Sequence, residues 1–115
     1  MKQGNYERSI KAFWEFNAKH PDNALADNAQ YWVAEGAYVQ RHYKQALDEF
    51  NKVLSGYPQS QKLPDALLKV GYAHYELGAY DKARKALHDV QSRFPGTPVA
   101  NLAAERLDKM KKEGR

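Results

Sequence analysis

Histidines and tyrosines are the residues of this 115-residue chain whose side chains could do chemistry. The histidines are His20, His42, His74 and His88, and no two of them have the i,i+4 spacing of a helical zinc site. Cysteine is absent, which excludes thiolate metal ligands and disulfides. The sequence therefore predicts no metal site and no other cofactor.

Catalytic signatures are also sparse in this sequence. No glycine-rich phosphate loop is present, and no serine has the strand–turn–helix context of a nucleophile elbow. Carboxylates such as Asp48, Glu49, Asp81 and Asp89 fall on the polar faces of predicted helices, where charge is ordinarily solvated. We therefore expect a protein that is not an enzyme.

Tyrosines are better candidates for binding than for catalysis, because each offers apolar area and a hydroxyl at low entropic cost. Tyr31, Tyr38, Tyr72 and Tyr75 recur at helical spacing, which suits a groove for a peptide. The same spacing also suits tyrosines that are packed in a core or half-buried. What separates these alternatives is the arrangement of the helices that carry them.

Composition indicates one small globular domain, with 43% hydrophobic and 28% charged residues. No apolar run is long enough to cross a membrane, and the first residues lack the apolar region of a signal peptide. The net charge of +4 permits acidic partners. Acidic residues are interspersed nearly everywhere, so the charge does not predict nucleic-acid binding.

An internal repeat of 37 residues organises the whole chain. Chemically matched residues recur at this spacing: Pro21, Pro58 and Pro95; Tyr6, Tyr43 and Tyr80; Asn23, Ser60 and Thr97; Ala29, Ala66 and Ala103; Phe13, Phe50 and Leu87. Each proline follows an amphipathic run that it cannot continue as a helix, and the polar residue two positions later can cap the next helix. Each unit therefore has room for two helices.

The periodicity predicts six helices, over about 5–19, 25–40, 43–56, 63–77, 80–93 and 98–112. The expected units are a second helix of a truncated repeat at 4–22, full repeats at 23–59 and 60–96, and a capping helix at 97–112, all in one domain over 1–115. Helix pairs in an array form an all-α, right-handed α-solenoid.

The segment ALLKVGYAHYELGAYDKARKALHDVQSRFP resembles the tetratricopeptide (TPR) repeat. The matching residues are Leu67, Val70, Gly71, Gly78, Tyr80, Ala83, Leu87 and Pro95. The preceding unit departs from the pattern with Arg41 at a usual glycine and Gln30 at a usual large apolar residue. The TPR period is about 34 residues, and the extra residues here fall in the loops between repeats.

Longer strings, including GNYERSIKAFWEF, HPDNALADNAQYWVAEGAY and YKQALDEFNKVLSGYP, resemble the C-terminal TPR domain of the YbgF/CpoB family. The resemblance implies a periplasmic adaptor of the Tol–Pal system that binds TolA. It also implies a role in coordinating peptidoglycan synthesis with outer-membrane constriction during cell division, with the peptidoglycan synthase machinery as a further partner. The alternative is a TPR scaffold of another bacterial envelope complex, of the kind that inserts outer-membrane proteins.

The TPR resemblance implies that the first helix of each pair lines the concave face, which we call the first-helix face. Its candidate partner-binding residues are Asn28, Tyr31, Glu35, Tyr38, Asp65, Leu68, Tyr72, Tyr75, Leu102, Glu105 and Lys109, with Trp32, Lys69 and Arg106 at the flank. Tyrosine and leucine at these positions argue against a clamp for a chain-terminal carboxylate. They favour an extended or helical peptide with apolar anchors.

The first predicted helix aligns with second helices at the 37-residue spacing, so it is half of a repeat. Its partner helix would lie before Met1, which suggests a domain excised from a longer chain. Ile10, Phe13 and Phe16 cannot all face the next repeat. We therefore expect this end of the chain to associate with a second copy of the protein or to fray at dilution.

Overall fold

A computed structural model describes residues 26–115 of the chain. The predicted helix over 5–19, the cap at Asn23, His20 and the proposed self-association through the N-terminal helix lie outside the described residues. The described part contains five helices and no strand: α1 (Ala26–Val39), α2 (Tyr43–Gly56), α3 (Leu63–Glu76), α4 (Tyr80–Arg93) and α5 (Pro98–Lys112). These bounds lie within one residue of the predicted ranges.

Each described helix packs on the next one along the chain, and α3 also contacts α5. Helices α1 and α2 form one pair, and α3 and α4 form the next. Helix α5 stacks on this second pair in the position that the first helix of a third pair would have. The second helices bury equivalent residues 37 positions apart: Ala46, Phe50 and Val53 in α2 and Ala83, Leu87 and Val90 in α4, all fully buried. The repeat in the sequence is thus a repeat in the core.

The turn between the two helices of a pair has the same geometry in both repeats. His42 N–H donates to Ala37 C=O at 2.9 Å, and Ala79 N–H donates to His74 C=O at 2.8 Å. The turn requires a left-handed residue, which is Gly78 in one repeat (φ 79°) and Arg41 in the other (φ 65°). Arg41 therefore adopts a conformation that favours glycine.

The loops between repeats start their helices in different ways. Thr97 caps α5 by accepting a hydrogen bond from Ala100 N–H at 3.3 Å, as predicted. Ser60 does not cap α3, and that prediction is wrong. The cap position is Lys62, and the Ser60 hydroxyl instead donates to Asp27 and accepts from Lys62 N–H. The longer loop before α3 shifts the helix start beyond the reach of Ser60.

One polar pair is buried between α1 and α2. Gln30 is 3% exposed and donates through Nε2 to the backbone carbonyl of Glu49 at 2.9 Å and to its carboxylate at 2.7 Å. Glu49 itself is 5% exposed, and its other carboxylate oxygen pairs with Lys52 at 2.9 Å. The expectation that Glu49 is solvated is therefore wrong, because its carboxylate accepts a hydrogen bond from Gln30 within the interface between α1 and α2.

Candidate protein-binding face

The first-helix face consists of side chains from α1, α3 and α5, at positions separated by 37 residues. Successive first helices meet at two junctions in the described part of the chain, α1 with α3 and α3 with α5. At each junction a cation from the later helix lies over at least one tyrosine ring of the earlier helix. The sequence positions of these cations, Lys69 and Arg106, are equivalent in the repeat.

At the first junction, Lys69 contacts both a carboxylate and two aromatic rings. Its ammonium pairs with the Glu35 carboxylate at 3.2 Å and lies 4.8 Å from the Tyr38 ring centre and 5.9 Å from that of Tyr72. The Tyr31 hydroxyl donates to the same Glu35 carboxylate at 3.1 Å. Both ionic side chains are largely buried, so the pair fixes α1 against α3 more firmly than an exposed pair would.

At the second junction, Arg106 occupies the place that Lys69 has at the first. Its guanidinium lies 4.2 Å from the ring centre of Tyr72 and 4.9 Å from that of Tyr75. Lys109, one turn later on α5, lies 5.4 Å from the Tyr75 ring centre. These contacts are cation–π interactions, which hold the aromatic rings and the charges in one layer.

The N-terminal end of the described face is an exposed aromatic corner. Trp32 is 45% exposed and packs edge-on against Tyr31, with ring centres 5.4 Å apart. The ammonium of Lys62, from the loop before α3, lies 5.2 Å from the Tyr31 ring centre and 5.6 Å from that of Trp32. An exposed tryptophan beside a cation is a surface that can anchor a partner side chain.

The C-terminal residues fold back over the other end of the face. The Tyr75 hydroxyl donates to the Glu113 carboxylate at 2.6 Å. Arg115 lies 4.4 Å from the ring centre of Tyr80, which itself packs edge-on against Tyr75. The residues after α5 therefore contribute both an acidic and a basic group to this end of the face.

The tyrosines of the face hold their protons firmly. Burial, reinforced by the Glu76 charge, raises the pKa of Tyr38 to about 12. Burial followed by the Glu35 charge raises the pKa of Tyr31, and burial raises the pKa of Tyr72. The hydrogen bond to Glu113 is the main cause that raises the pKa of Tyr75. Near neutral pH the face presents neutral hydroxyl groups as donors.

The structure places the predicted residues on one continuous face but at different depths. Tyr31 and Leu68 are 7% and 3% exposed, so they belong to the core and differ from the expectation of an accessible groove. Neighbouring helices cover them. The half-buried members are Asn28, Glu35, Tyr38, Asp65, Lys69, Tyr72 and Tyr75, and the exposed ones are Trp32, Leu102, Glu105 and Lys109. Their role in binding a partner remains a prediction.

Lys62, Glu113 and Arg115 are face residues that sequence reasoning missed. They lie in segments that flank helices, where helical periodicity gives no direction for a side chain. Arg106 was expected at the flank, together with its equivalents Trp32 and Lys69 at 37-residue spacing. Its position over both tyrosines makes it central to the second junction.

Elsewhere in residues 26–115 the structure offers little that could do chemistry. No group of histidine and carboxylate side chains in this range could hold a metal ion. His74 is half-buried, as expected, and burial followed by the Lys82 charge lowers its pKa.

A cavity of about 360 Å³ lies between α4 and α5, lined by Arg84, His88, Leu107, Asp108, Met110, Lys111 and Arg115. None of the described helices is long and apolar enough to span a membrane.

Comparison with known proteins identifies the repeat type. Residues 65–97 match the Tetratricopeptide repeat family. Together with the helical array, this match gives the fold as a TPR-type helical solenoid. TPR repeats are non-catalytic modules for protein–protein interaction.

One curated relative is the outer membrane protein assembly factor BamD of Caulobacter vibrioides. It is 22% identical to this chain over 116 residues. The alignment covers 94% of this chain and 38% of BamD, so the chain spans little more than a third of that relative.

Proposed function

We propose that this protein is an adaptor of the bacterial cell envelope that holds a segment of a partner protein on its first-helix face. The observation that carries this proposal is the continuous layer of tyrosines and cations across α1, α3 and α5. Such a layer combines rigid apolar area with fixed charges, the composition that dominates binding energy at protein interfaces. The same face supplies no catalytic arrangement among the described residues.

The Tol–Pal system is the first candidate for the partner. The resemblance to the YbgF/CpoB family supports a periplasmic location, TolA as the bound protein, and a link to the peptidoglycan synthase machinery during division. TPR repeats that display tyrosines and a leucine, rather than a clamp for a chain terminus, suit an internal segment of a larger protein.

An outer-membrane protein assembly complex is the second candidate. It is supported by the similarity to BamD, which extends over 94% of this chain. In this alternative the partner is another component of the assembly machinery, and the protein is again periplasmic. The two candidates share the binding face and differ in what it holds.

The binding experiment compares a TolA fragment with the periplasmic part of the assembly machinery from the same organism, by titration calorimetry. We expect the double variant Tyr72→Ala/Tyr75→Ala to weaken the genuine interaction at least about tenfold, because each aromatic anchor contributes about 1 kcal/mol or more. The matched control is Lys44→Ala/His88→Ala, two exposed positions on the second helices. Unchanged affinity in a folded tyrosine variant would place the binding site elsewhere.

Salt dependence distinguishes this proposal from nucleic-acid binding. Peptide binding through aromatic anchors should change little between low and moderate salt, whereas binding to phosphates loses a decade or more in affinity. A steep loss would contradict the adaptor proposal.

A further inference from the structure

We propose that the part of the face formed by Tyr72, Tyr75, Arg106 and Lys109 binds an acidic side chain of the partner segment. We call these four residues the acidic-side-chain site. The inference rests on the proposed function in one respect, namely that a peptide lies on the first-helix face. It goes further by stating the chemistry of one residue of that peptide.

The first argument is a comparison of the two junctions. Lys69 and Arg106 are equivalent positions, and their distances to the equivalent rings of Tyr38 and Tyr75 are 4.8 and 4.9 Å. Lys69 has a carboxylate partner, Glu35. The position equivalent to Glu35 is Tyr72, 37 residues later. The second junction therefore repeats the cation and the aromatic ring but has no carboxylate at the position equivalent to Glu35.

The second argument is the state of the charges at this site. In the part of the chain that the structure describes, neither Arg106 nor Lys109 forms an ion pair. The Arg106 guanidinium has one buried nitrogen, Nη1, without a hydrogen-bond partner. A guanidinium binds a carboxylate well because its donors lie in one plane. An incoming carboxylate would therefore supply the charge partner of Arg106, which the aromatic rings replace only in part.

The third argument is that a carboxylate of this chain already reaches the site. Glu113 accepts the Tyr75 hydroxyl hydrogen bond at 2.6 Å, beside the ring that Arg106 and Lys109 cover. It is a side-chain carboxylate, and it shows that the Tyr75 hydroxyl is directed to donate a hydrogen bond to such a group. We therefore assign the site to an aspartate or glutamate side chain, which would compete with Glu113 for Tyr75.

The test uses the full 115-residue chain and blocked pentapeptides of alternating leucine and glutamate or leucine and glutamine. Binding is followed by ¹⁵N–¹H NMR at the Arg106 side chain and at the amides of α3 and α5. We expect the glutamate peptide to bind about fivefold more tightly, the upper range for a partly exposed ion pair. Arg106→Gln should abolish that difference, and Lys109→Gln should reduce it. The matched control Lys44→Gln, an exposed lysine on α2, should keep it.

A third peptide, of leucine and glutamine with a free C-terminus, distinguishes a chain terminus from a side chain. If it binds as tightly as the glutamate peptide, the site takes a terminal carboxylate and our assignment is wrong. Glu113→Gln should tighten the glutamate peptide, and an unchanged affinity would remove the competition argument. If both blocked peptides bind this face equally, the acidic preference fails while the proposed function stands. If neither perturbs α3 or α5, the assignment of an acidic side chain to this site is wrong, whereas the proposed function is decided by the calorimetry with the Tyr72→Ala/Tyr75→Ala variant.

Discussion

Arg41 is a single residue whose conformation is imposed by the turn that it occupies. The hydrogen bonds of the turn are the same as those around Gly78, and both residues are left-handed. An arginine there has its Cβ close to the following carbonyl oxygen, which costs about 1–2 kcal/mol. The turn forms nevertheless, because two packed helices on either side determine its path.

We predict that Arg41→Gly stabilises the protein by about 0.5–1 kcal/mol. The relief of backbone strain in the folded state is larger than the free-energy cost of the additional conformational entropy that glycine has in the unfolded chain. The matched variant is Gly78→Arg, which should destabilise by a similar amount. Urea unfolding of both variants measures the two changes, and destabilisation by Arg41→Gly would show that the arginine side chain is needed for another reason.

Gly71 is the second residue whose identity the packing explains. A Cβ at this position would lie 2.9 Å from Leu87 Cδ2 and 3.0 Å from Leu87 Cγ. Leu87 is fully buried in α4 and cannot move aside without disturbing the core. Glycine at this position therefore sets how closely α3 approaches α4.

We predict that Gly71→Ala is less stable than Gly56→Ala by about 1–3 kcal/mol, the usual cost of overpacking. Gly56 is the control because a Cβ there meets nothing within 4 Å. Gly71 lies in the interior of α3, whereas Gly56 is the last residue of α2, so alanine gains at least as much helix propensity at position 71 as at position 56. The measured difference is therefore a lower limit for the cost of the contact with Leu87. Equal thermal unfolding midpoints for the two variants would contradict the prediction.

At the scale of the helices, the Gln30–Glu49 pair specifies how α1 meets α2. Both side chains are nearly inaccessible, and each satisfies polar atoms of the other. A TPR repeat usually has a large apolar residue where Gln30 stands. Removing one partner leaves a buried polar group unsatisfied, whereas replacing both restores an apolar interface.

We predict that Gln30→Leu and Glu49→Leu each destabilise the protein by about 1–3 kcal/mol and that the double variant is close to the original protein. The exposed pair Asp81–Arg84 on α4 is the control cycle, with an expected coupling below about 0.5 kcal/mol. Strictly additive losses for Gln30 and Glu49 would mean that the two side chains do not stabilise the interface as a unit.

At the scale of the whole molecule, the tyrosines of the first-helix face make the stability of the folded protein depend on pH. The pKa of Tyr38 is raised from its ordinary value of 10.0 to about 12, chiefly by burial. The folded state therefore favours the neutral phenol. The resulting stability is fully present below pH 10, the unfolded value, and is lost as the pH rises towards 12.

We predict that the thermal midpoint falls between pH 9 and pH 11 and that Tyr38→Phe reduces this fall, because phenylalanine has no proton to lose. Calorimetric scans of the two proteins at both values measure the effect, and the difference between proteins excludes the titration of lysines. An identical fall in both proteins would show that Tyr38 does not contribute to the alkaline loss of stability.

The sequence determined the helices and their repetition, because both follow from local rules. The 37-residue recurrence, the apolar spacing within each unit and Thr97 before Pro98 placed every described helix within one residue of its observed bounds. A 3.6-residue period and a cap involve neighbours in the chain only, so they can be read without the tertiary structure.

The tertiary structure decided which face residues are accessible and which charges are paired. The helical spacing places Tyr31 and Leu68 on the same face as Tyr38 and Tyr72, but neighbouring helices cover Tyr31 and Leu68. Glu49 is buried by Gln30, and Arg106 lacks the carboxylate that its equivalent, Lys69, finds in Glu35. These outcomes depend on contacts between residues 19 to 38 positions apart, whose distances only the packed array fixes.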